Sequence, residues 1–235
     1  MWFDDLPEND SWARLWSGYV RCGDCSGIRK IAGNCPACGS PSPTPRQHLV
    51  RFEDGSERPV FDAFMGAESR YEDWVYLRML EREWKRPLVD ADRFPEIPES
   101  SRPAARAALV LVFWSYFETR IDRLFREGMR DIAEGIRKDL LSRYASVGSR
   151  LDRLYKIVFA ATYWSDLGEL GFERVARLLQ FVQKRRNEFA HGQPAAIDEG
   201  LIKNLVEALK DEHEAWIAVF NRRATRCPPA VNRGA

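Results

Sequence analysis

The sequence predicts a mainly α-helical protein carrying a small, cysteine-bearing β segment toward its N-terminal end. Three observations lead there. From about residue 103 onward, apolar residues recur every three and four positions, the stripe of helices packed on a common core. Earlier in the chain, two Cys-x-x-Cys pairs stand nine residues apart among glycines and short β-prone runs. Between these regions, Pro87, Pro95, Pro98 and Pro103 mark a boundary. The expected organisation is residues 1–61 as an N-terminal segment with the cysteines and a hairpin, and 62–102 as a connecting helix with a Pro-rich linker. A helical bundle over 103–224 and a tail over 225–235 complete it.

In chain order, Trp12 and Trp16 lie four apart, with Trp2 and Phe3 nearby, which fits a short helix packed on a neighbour. Cys22-Gly-Asp-Cys25 and Cys35-Pro-Ala-Cys38-Gly39 can place four thiolates tetrahedrally around one Zn²⁺. The stretch resembles a zinc ribbon. Four protein thiolates leave no open position, so this zinc is expected to be structural, not catalytic. A redox role is disfavoured because the helix that follows a thioredoxin-like Cys-x-x-Cys is missing. The ribbon either staples a segment too small to hold itself together or reads nucleic acid or a partner through Arg21, Arg29 and Lys30. Ser40 to Pro45 alternates with proline as a stiff linker. Leu49 to Phe52, the Asp54-Gly55 turn and Pro59 to Phe61 then read as a hairpin completing the ribbon sheet, with His48 exposed just before it.

Glu72 to Arg86 is amphipathic through Trp74, Leu77, Leu80 and Trp84, and Pro87 stops it. Ser100-Ser101 supplies an N-cap signal for the bundle. Its helices are expected near 103–130, 131–146 and 149–164, with a loop from Asp166 to Gly171, a helix at 172–190 and a last one at 198–223. The last helix carries Leu201, Leu205, Leu209, His213, Trp216 and Phe220 on one stripe, which makes His213 a core residue. Beyond it come a basic run, Arg222, Arg223 and Arg226, and the unpartnered Cys227.

Charge divides unevenly along the chain. Residues 1–100 hold 13 Lys and Arg against 18 Asp and Glu, a net of −5, whereas 101–235 hold 23 against 17, a net of +6. The helical part is thus the better binder of a polyanion. The N-terminus is acidic without an apolar signal core, and the longest apolar stretch, Ala107 to Phe117, is only 11 residues. No membrane association is expected, and four paired cysteines of metal-ligand spacing point to the cytoplasm. There is no repeat, phosphate-binding glycine loop, nucleophile elbow or metal-binding carboxylate cluster.

The chemistry concentrates at Lys184-Arg185-Arg186-Asn187-Glu188-Phe189-Ala190-His191-Gly192. The helix leading into it turns Val175, Leu178, Leu179, Val182 and Phe189 inward. Arg186, four after Val182 and three before Phe189, falls on the same side. A guanidinium there needs an anion, a buried partner or a wet cleft. Asn187 and His191 are four apart, and Gly192 and Pro194 end the helix beside them. Arginine grips phosphate oxygens, histidine moves protons near neutrality and asparagine orients either. The alternative is a satisfied core arginine with a capping histidine.

Arg186-Asn187-x-x-x-His191 resembles the R-N-x-x-x-H signature of the HEPN superfamily, over roughly residues 103–223. The resemblance implies a HEPN-like helical bundle and a metal-independent endoribonuclease. It further implies a homodimer whose two motifs face one cleft, and a setting in toxin–antitoxin or antiviral defence with an antitoxin or similar partner. Catalytic roles then fall to Arg186, Asn187 and His191. Glu118, on the packed side of the first bundle helix, is expected to support Arg186 by pairing with it. The alternative of another class is a non-catalytic HEPN and zinc-ribbon adaptor or nucleic-acid-binding regulator. A third is a scaffold in which Arg186 serves only that pair.

Overall fold

A computed structural model describes residues 12–16, 18–41, 47–51, 54–61, 67–88 and 103–225. The expectations for Trp2 and Phe3, for the linker from Ser42 on, for Ser100-Ser101 and most of the Pro-rich boundary, and for Arg226 and Cys227 lie outside these residues. The chain is mainly helical, with small antiparallel β elements next to a cysteine cluster. It divides into two compact units, residues 1–75 with 220–235 and residues 76–219.

In the first unit, a 3-10 turn, Trp12–Trp16, leads to strands β1 (Tyr19–Arg21) and β2 (Ile28–Lys30), which pair antiparallel. Trp16 is buried and meets the edge of Tyr19. Strands β3 (Gln47–Arg51) and β4 (Glu57–Phe61) form the expected hairpin around Asp54 and Gly55. Asp54 Oδ1 accepts from the Ser56 N–H at 2.8 Å, and Gly55 takes a φ of +78° that favours glycine. The hairpin does not complete the ribbon sheet: β1–β2 and β3–β4 are separate two-stranded sheets.

Helix α1 (Ala67–Lys85) turns Leu77 and Leu80 inward and leaves Trp74 and Trp84 half-buried, and its residues from Tyr76 on belong to the second unit. That unit is built around α2 (Ala107–Gly128), which packs on the later helix at Glu173–Ala190 and buries Leu109, Val110, Phe113, Phe117, Ile121, Leu124 and Phe125. After α3 (Glu134–Arg143) come α4 (Val147–Ser149), a π-turn at Arg150–Leu154 and α5 (Tyr155–Phe159). The stretch expected as a loop from Asp166 is mostly helix instead. Thr162 and Ser165 form a reciprocal capping box that starts α6 (Tyr163–Glu169), whose Tyr163, Asp166 and Leu167 are buried. Gly171, at φ +83°, then turns the chain into α7 (Glu173–Ala190). Asp198 caps α8 (Glu199–Glu207) by accepting from the Leu201 N–H at 2.7 Å. The single last helix that was expected is broken at Ala208, and α9 runs Leu209–Ala224. The break leaves the stripe intact: Leu201, Leu205, Leu209, His213, Trp216 and Phe220 are all buried.

Inside the second unit lies an ion pair. Arg120 of α2 is wholly buried and donates through Nη1 to Glu212 Oε2 of α9 at 2.7 Å. Its guanidinium stands over the rings of Tyr116, at 4.8 Å, and Trp216, at 4.3 Å. Burial, then the nearby Glu212 carboxylate, pushes the Tyr163 hydroxyl well above its ordinary value. Tyr155 donates to Asp166 in the same interior. Removing one member of a buried pair strands the other charge. Arg120→Met should therefore destabilise the protein by about 3–5 kcal/mol, and Arg120→Met with Glu212→Leu should recover most of that, measured by urea unfolding.

Candidate functional site

The end of α7 is shaped by its backbone. His191 is the C-cap, and its N–H reaches the Asn187 and Glu188 carbonyls at 3.0 and 3.2 Å. The Gly192 N–H then bonds the Phe189 carbonyl at 3.1 Å, and the Gln193 N–H bonds the Glu188 carbonyl at 3.0 Å. With Gly192 at φ +88°, this is a Schellman closure, which a side chain at 192 would strain. Of the expected inward stripe, Val175, Leu179 and Val182 are buried, and Leu178, Arg186 and Phe189 are half-buried. Asn187 and His191 are exposed on the open side.

The three consecutive cations here are treated differently. Lys184 lies 3.9 Å from Glu188. Arg185 donates to Glu188 Oε2 at 3.1 Å and to Asp198 Oδ2 at 3.4 Å, over the ring of Phe181. Arg186 donates through Nη1 to the neutral Asn187 Oδ1 at 3.2 Å, and among the described residues no carboxylate pairs with it. The structure thus brings Arg186 and Asn187 into contact and places His191 one turn on, at the end of the same helix.

Glu118 does not join them. It is half-buried, and its Oε1 accepts from the Trp114 indole N–H at 2.9 Å, so the expected Glu118–Arg186 ion pair is absent among the described residues. A carboxylate four residues along a helix from an indole N–H finds that donor without leaving its own surface. The acid and base that do meet across the bundle are Arg120 and Glu212, which sequence reasoning missed. The signal was present: Arg120 falls four after Tyr116 and four before Leu124, and Glu212 four before Trp216, so both share apolar stripes.

The second candidate is the cysteine cluster of the first unit. The Sγ atoms of Cys22, Cys25, Cys35 and Cys38 lie within 4.8 Å of one another and could hold a metal ion. Two matching knuckles present them. In the first, the Ser26 N–H bonds the Cys22 carbonyl at 2.9 Å and the Cys22 N–H bonds the Gly27 carbonyl at 2.8 Å. In the second, Gly39 and Ser40 repeat both bonds on Cys35, at 2.8 and 2.9 Å. The fourth residue after the leading cysteine has positive φ in each, Ser26 at 60° and Gly39 at 72°. The Gly27 N–H also points at Cys25 Sγ, 3.4 Å away. The closest sulfur pairs, Cys22–Cys38 at 3.7 Å and Cys25–Cys35 at 3.6 Å, are far beyond a disulfide bond of about 2.05 Å. Burial pushes the Cys25 and Cys38 thiols up. Burial opposes ionising Cys22 too, but backbone hydrogen bonds at Cys25 and Asp24 and the neighbouring thiols bring it to about 7.

Of the three ribbon cations expected to face a partner, Arg29 does not. It is buried, with Nη1 on the Ser40 carbonyl at 2.9 Å, Nε on the Lys30 carbonyl at 3.1 Å and Nη2 on the Gly33 carbonyl. It buttresses the second knuckle from inside. Arg21 donates to the Ser26 carbonyl at 3.1 Å, and Lys30 is exposed above the ring of Tyr19. No described helix is long and apolar enough to cross a membrane.

Comparison of the chain with protein-family models, with curated proteins and with solved structures finds no match. Two outcomes test the local geometry. Gly192→Ala should cost about 1–2 kcal/mol of stability in chemical unfolding, because it forces a Cβ into a left-handed conformation. The purified chain should carry one metal ion per molecule by elemental analysis. Cys25→Ser should remove it, and acidification should release it as protons compete for the thiolates.

Proposed function

We propose that this chain is a metal-independent endoribonuclease of the HEPN type. The observation that carries the proposal is the uncompensated cation at the end of α7. Arg186 meets an amide oxygen where its two neighbours meet carboxylates, and the exposed Asn187 and His191 stand on the same helix end. A surface-facing guanidinium that meets no carboxylate among the described residues is suited to take a phosphate.

RNA carries its own nucleophile, so the reaction needs little more than proton handling and charge stabilisation. His191 takes the proton from the 2′-hydroxyl as the O2′–P bond forms. The P–O5′ bond breaks, and an imidazolium returns a proton to the departing oxygen. One histidine cannot hold both protonation states at once, so the same residue of a second copy supplies the other. This agrees with the homodimer implied by the family resemblance. Arg186 stabilises the charge that gathers on the phosphoryl oxygens, and Asn187 orients the phosphate or the imidazole. The products are a 2′,3′-cyclic phosphate and a 5′-hydroxyl, and DNA, lacking the 2′-hydroxyl, is not cut. Glu118 accepts from Trp114 and does not pair with Arg186.

The ion assigned to the cysteines is Zn²⁺. A Zn–S bond of about 2.3 Å gives a tetrahedron with edges of about 3.8 Å, close to the 3.7 and 3.6 Å of the two nearest sulfur pairs. Four thiolates fill its coordination, so it braces the ribbon and does not touch substrate chemistry. Free thiol pairs of this kind suit the reducing cytoplasm. A defence or toxin role, with a partner that restrains the nuclease, follows from the resemblance.

Zinc-loaded protein incubated with mixed total RNA in EDTA should cut it and leave cyclic phosphate ends. His191→Ala should lower the rate by about 10²–10⁴-fold, and Arg186→Ala by about 10²–10³-fold. If folded, dimeric wild-type protein binds RNA and leaves it intact, the adaptor reading replaces this one.

A further inference from the structure

The first knuckle is held by a residue almost two hundred positions away. Asn221, in the last turn of α9, is buried and belongs to the same compact unit as the ribbon. Its Oδ1 accepts from the Ile28 N–H at 2.6 Å, and its Nδ2 donates to the Ile28 carbonyl at 2.7 Å. The amide thus occupies both backbone groups of Ile28, as a neighbouring strand would.

The peptide between Gly27 and Ile28 is therefore gripped on both sides. Its N–H goes to Asn221, and its carbonyl accepts the Cys22 N–H at 2.8 Å. Gly27 in turn aims its own N–H at Cys25 Sγ, 3.4 Å away. Whatever fixes that peptide fixes the backbone of one thiolate and a hydrogen bond to the other. Two further contacts tie the same helix turn to the knuckle. Arg21, bonded to the Ser26 carbonyl, stands over the Phe220 ring at 5.7 Å. A Cβ on Gly27 would meet Thr225 Cγ2 at 2.9 Å and Asn221 Oδ1 at 3.0 Å, so position 27 has no room for a larger residue.

We propose that Asn221 is a positioning residue of the metal centre, and that ion binding and the docking of residues 220–225 on the first knuckle stabilise each other. The proposal rests on the assignment of Zn²⁺ to the four cysteines. Asn221 touches no sulfur, and it acts through the Gly27–Ile28 peptide. Partners that orient ligands in this way typically contribute 10–100-fold to metal affinity. Thermodynamic reciprocity requires the ion to tighten the helix turn by the same factor.

The test is Zn²⁺ competition against a chromophoric chelator on the full chain, for wild type, Asn221→Ala, Gly27→Ala, their double variant and the control Asn204→Ala on exposed α8. Asn221→Ala and Gly27→Ala should each weaken binding by about 10–100-fold, and Asn204→Ala should not. The double variant should lose less than the product of the two, because both changes disturb the same Gly27–Ile28 peptide, while Thr225 Cγ2 and Cys25 Sγ still crowd position 27. Limited trypsin digestion gives a second readout. Chelation should speed cleavage after Arg222 and Arg223 in wild type, and in Asn221→Ala cleavage should be fast with or without zinc. Far-UV circular dichroism guards against simple unfolding. Equal affinity of wild type and Asn221→Ala, both folded, overturns the proposal while leaving the metal assignment intact. A wild type that binds no zinc overturns both.

Discussion

A buried charge that cannot be neutralised constrains the helical unit more than any other contact. Arg120 keeps its proton at any pH the fold survives, so an interior built around it must supply an anion and flat, polarisable neighbours. Glu212 supplies the first, and the rings of Tyr116 and Trp216 supply the second. This explains why a helix as apolar as α2 has one permitted orientation. Its hydrophobic residues extend nearly all round, and many rotations would bury similar area. The observed setting puts Arg120 against Glu212, and a setting that kept both buried but apart would leave two desolvated charges. The pair need add little net stability to exert this effect, because its role is to make the alternatives costly.

The ribbon solves a different problem with similar means. Two strands of three residues bury too little to fold alone, and the structure replaces a core with four sulfurs and a set of carbonyl acceptors. Arg29 shows the logic. Placed on the inner side of β2, it would be an error in an ordinary sheet, yet here its donors meet the carbonyls of Lys30, of Gly33 in the loop that follows, and of Ser40 at the second knuckle. One of the three cations that the sequence offered for reading nucleic acid or a partner is part of what holds the knuckle shut.

Helix stripes, the hairpin around Asp54-Gly55 and the cysteine quartet were legible because each depends on local periodicity or on side-chain chemistry at fixed spacing. The pairing of Glu118 was misjudged because a wheel shows which way a residue faces and not which donor is nearest, and Trp114 was nearer than anything on another helix. The loop expected at Asp166 failed for a related reason. Gly168 and Gly171 look like breakers, but the Thr162–Ser165 capping box and the buried Tyr163 and Leu167 outweigh one mid-helix glycine, which costs only about 1 kcal/mol. The Asn221 clasp had no sequence signal at all. Nothing in local pattern connects a helix C-terminus with a residue 193 positions earlier.

At the end of α7, capping and chemistry make separable demands. The Schellman closure accounts for Gly192, and with it for the position of residue 191, through backbone hydrogen bonds alone. It does not call for an imidazole. A cation at a helix C-terminus complements the macrodipole, and the last turn of α7 holds no basic residue, but a lysine at 191 would serve that purpose as well. Nor does capping explain Arg186, which lies on the inward stripe, where an aliphatic side chain would pack without cost. Stability would be better served there by leucine, or by a carboxylate partner like those given to Arg185. A guanidinium held at the surface beside a neutral amide is open to an anion. The proposed phosphate binding would give Arg186, Asn187 and His191 a common purpose at this helix end.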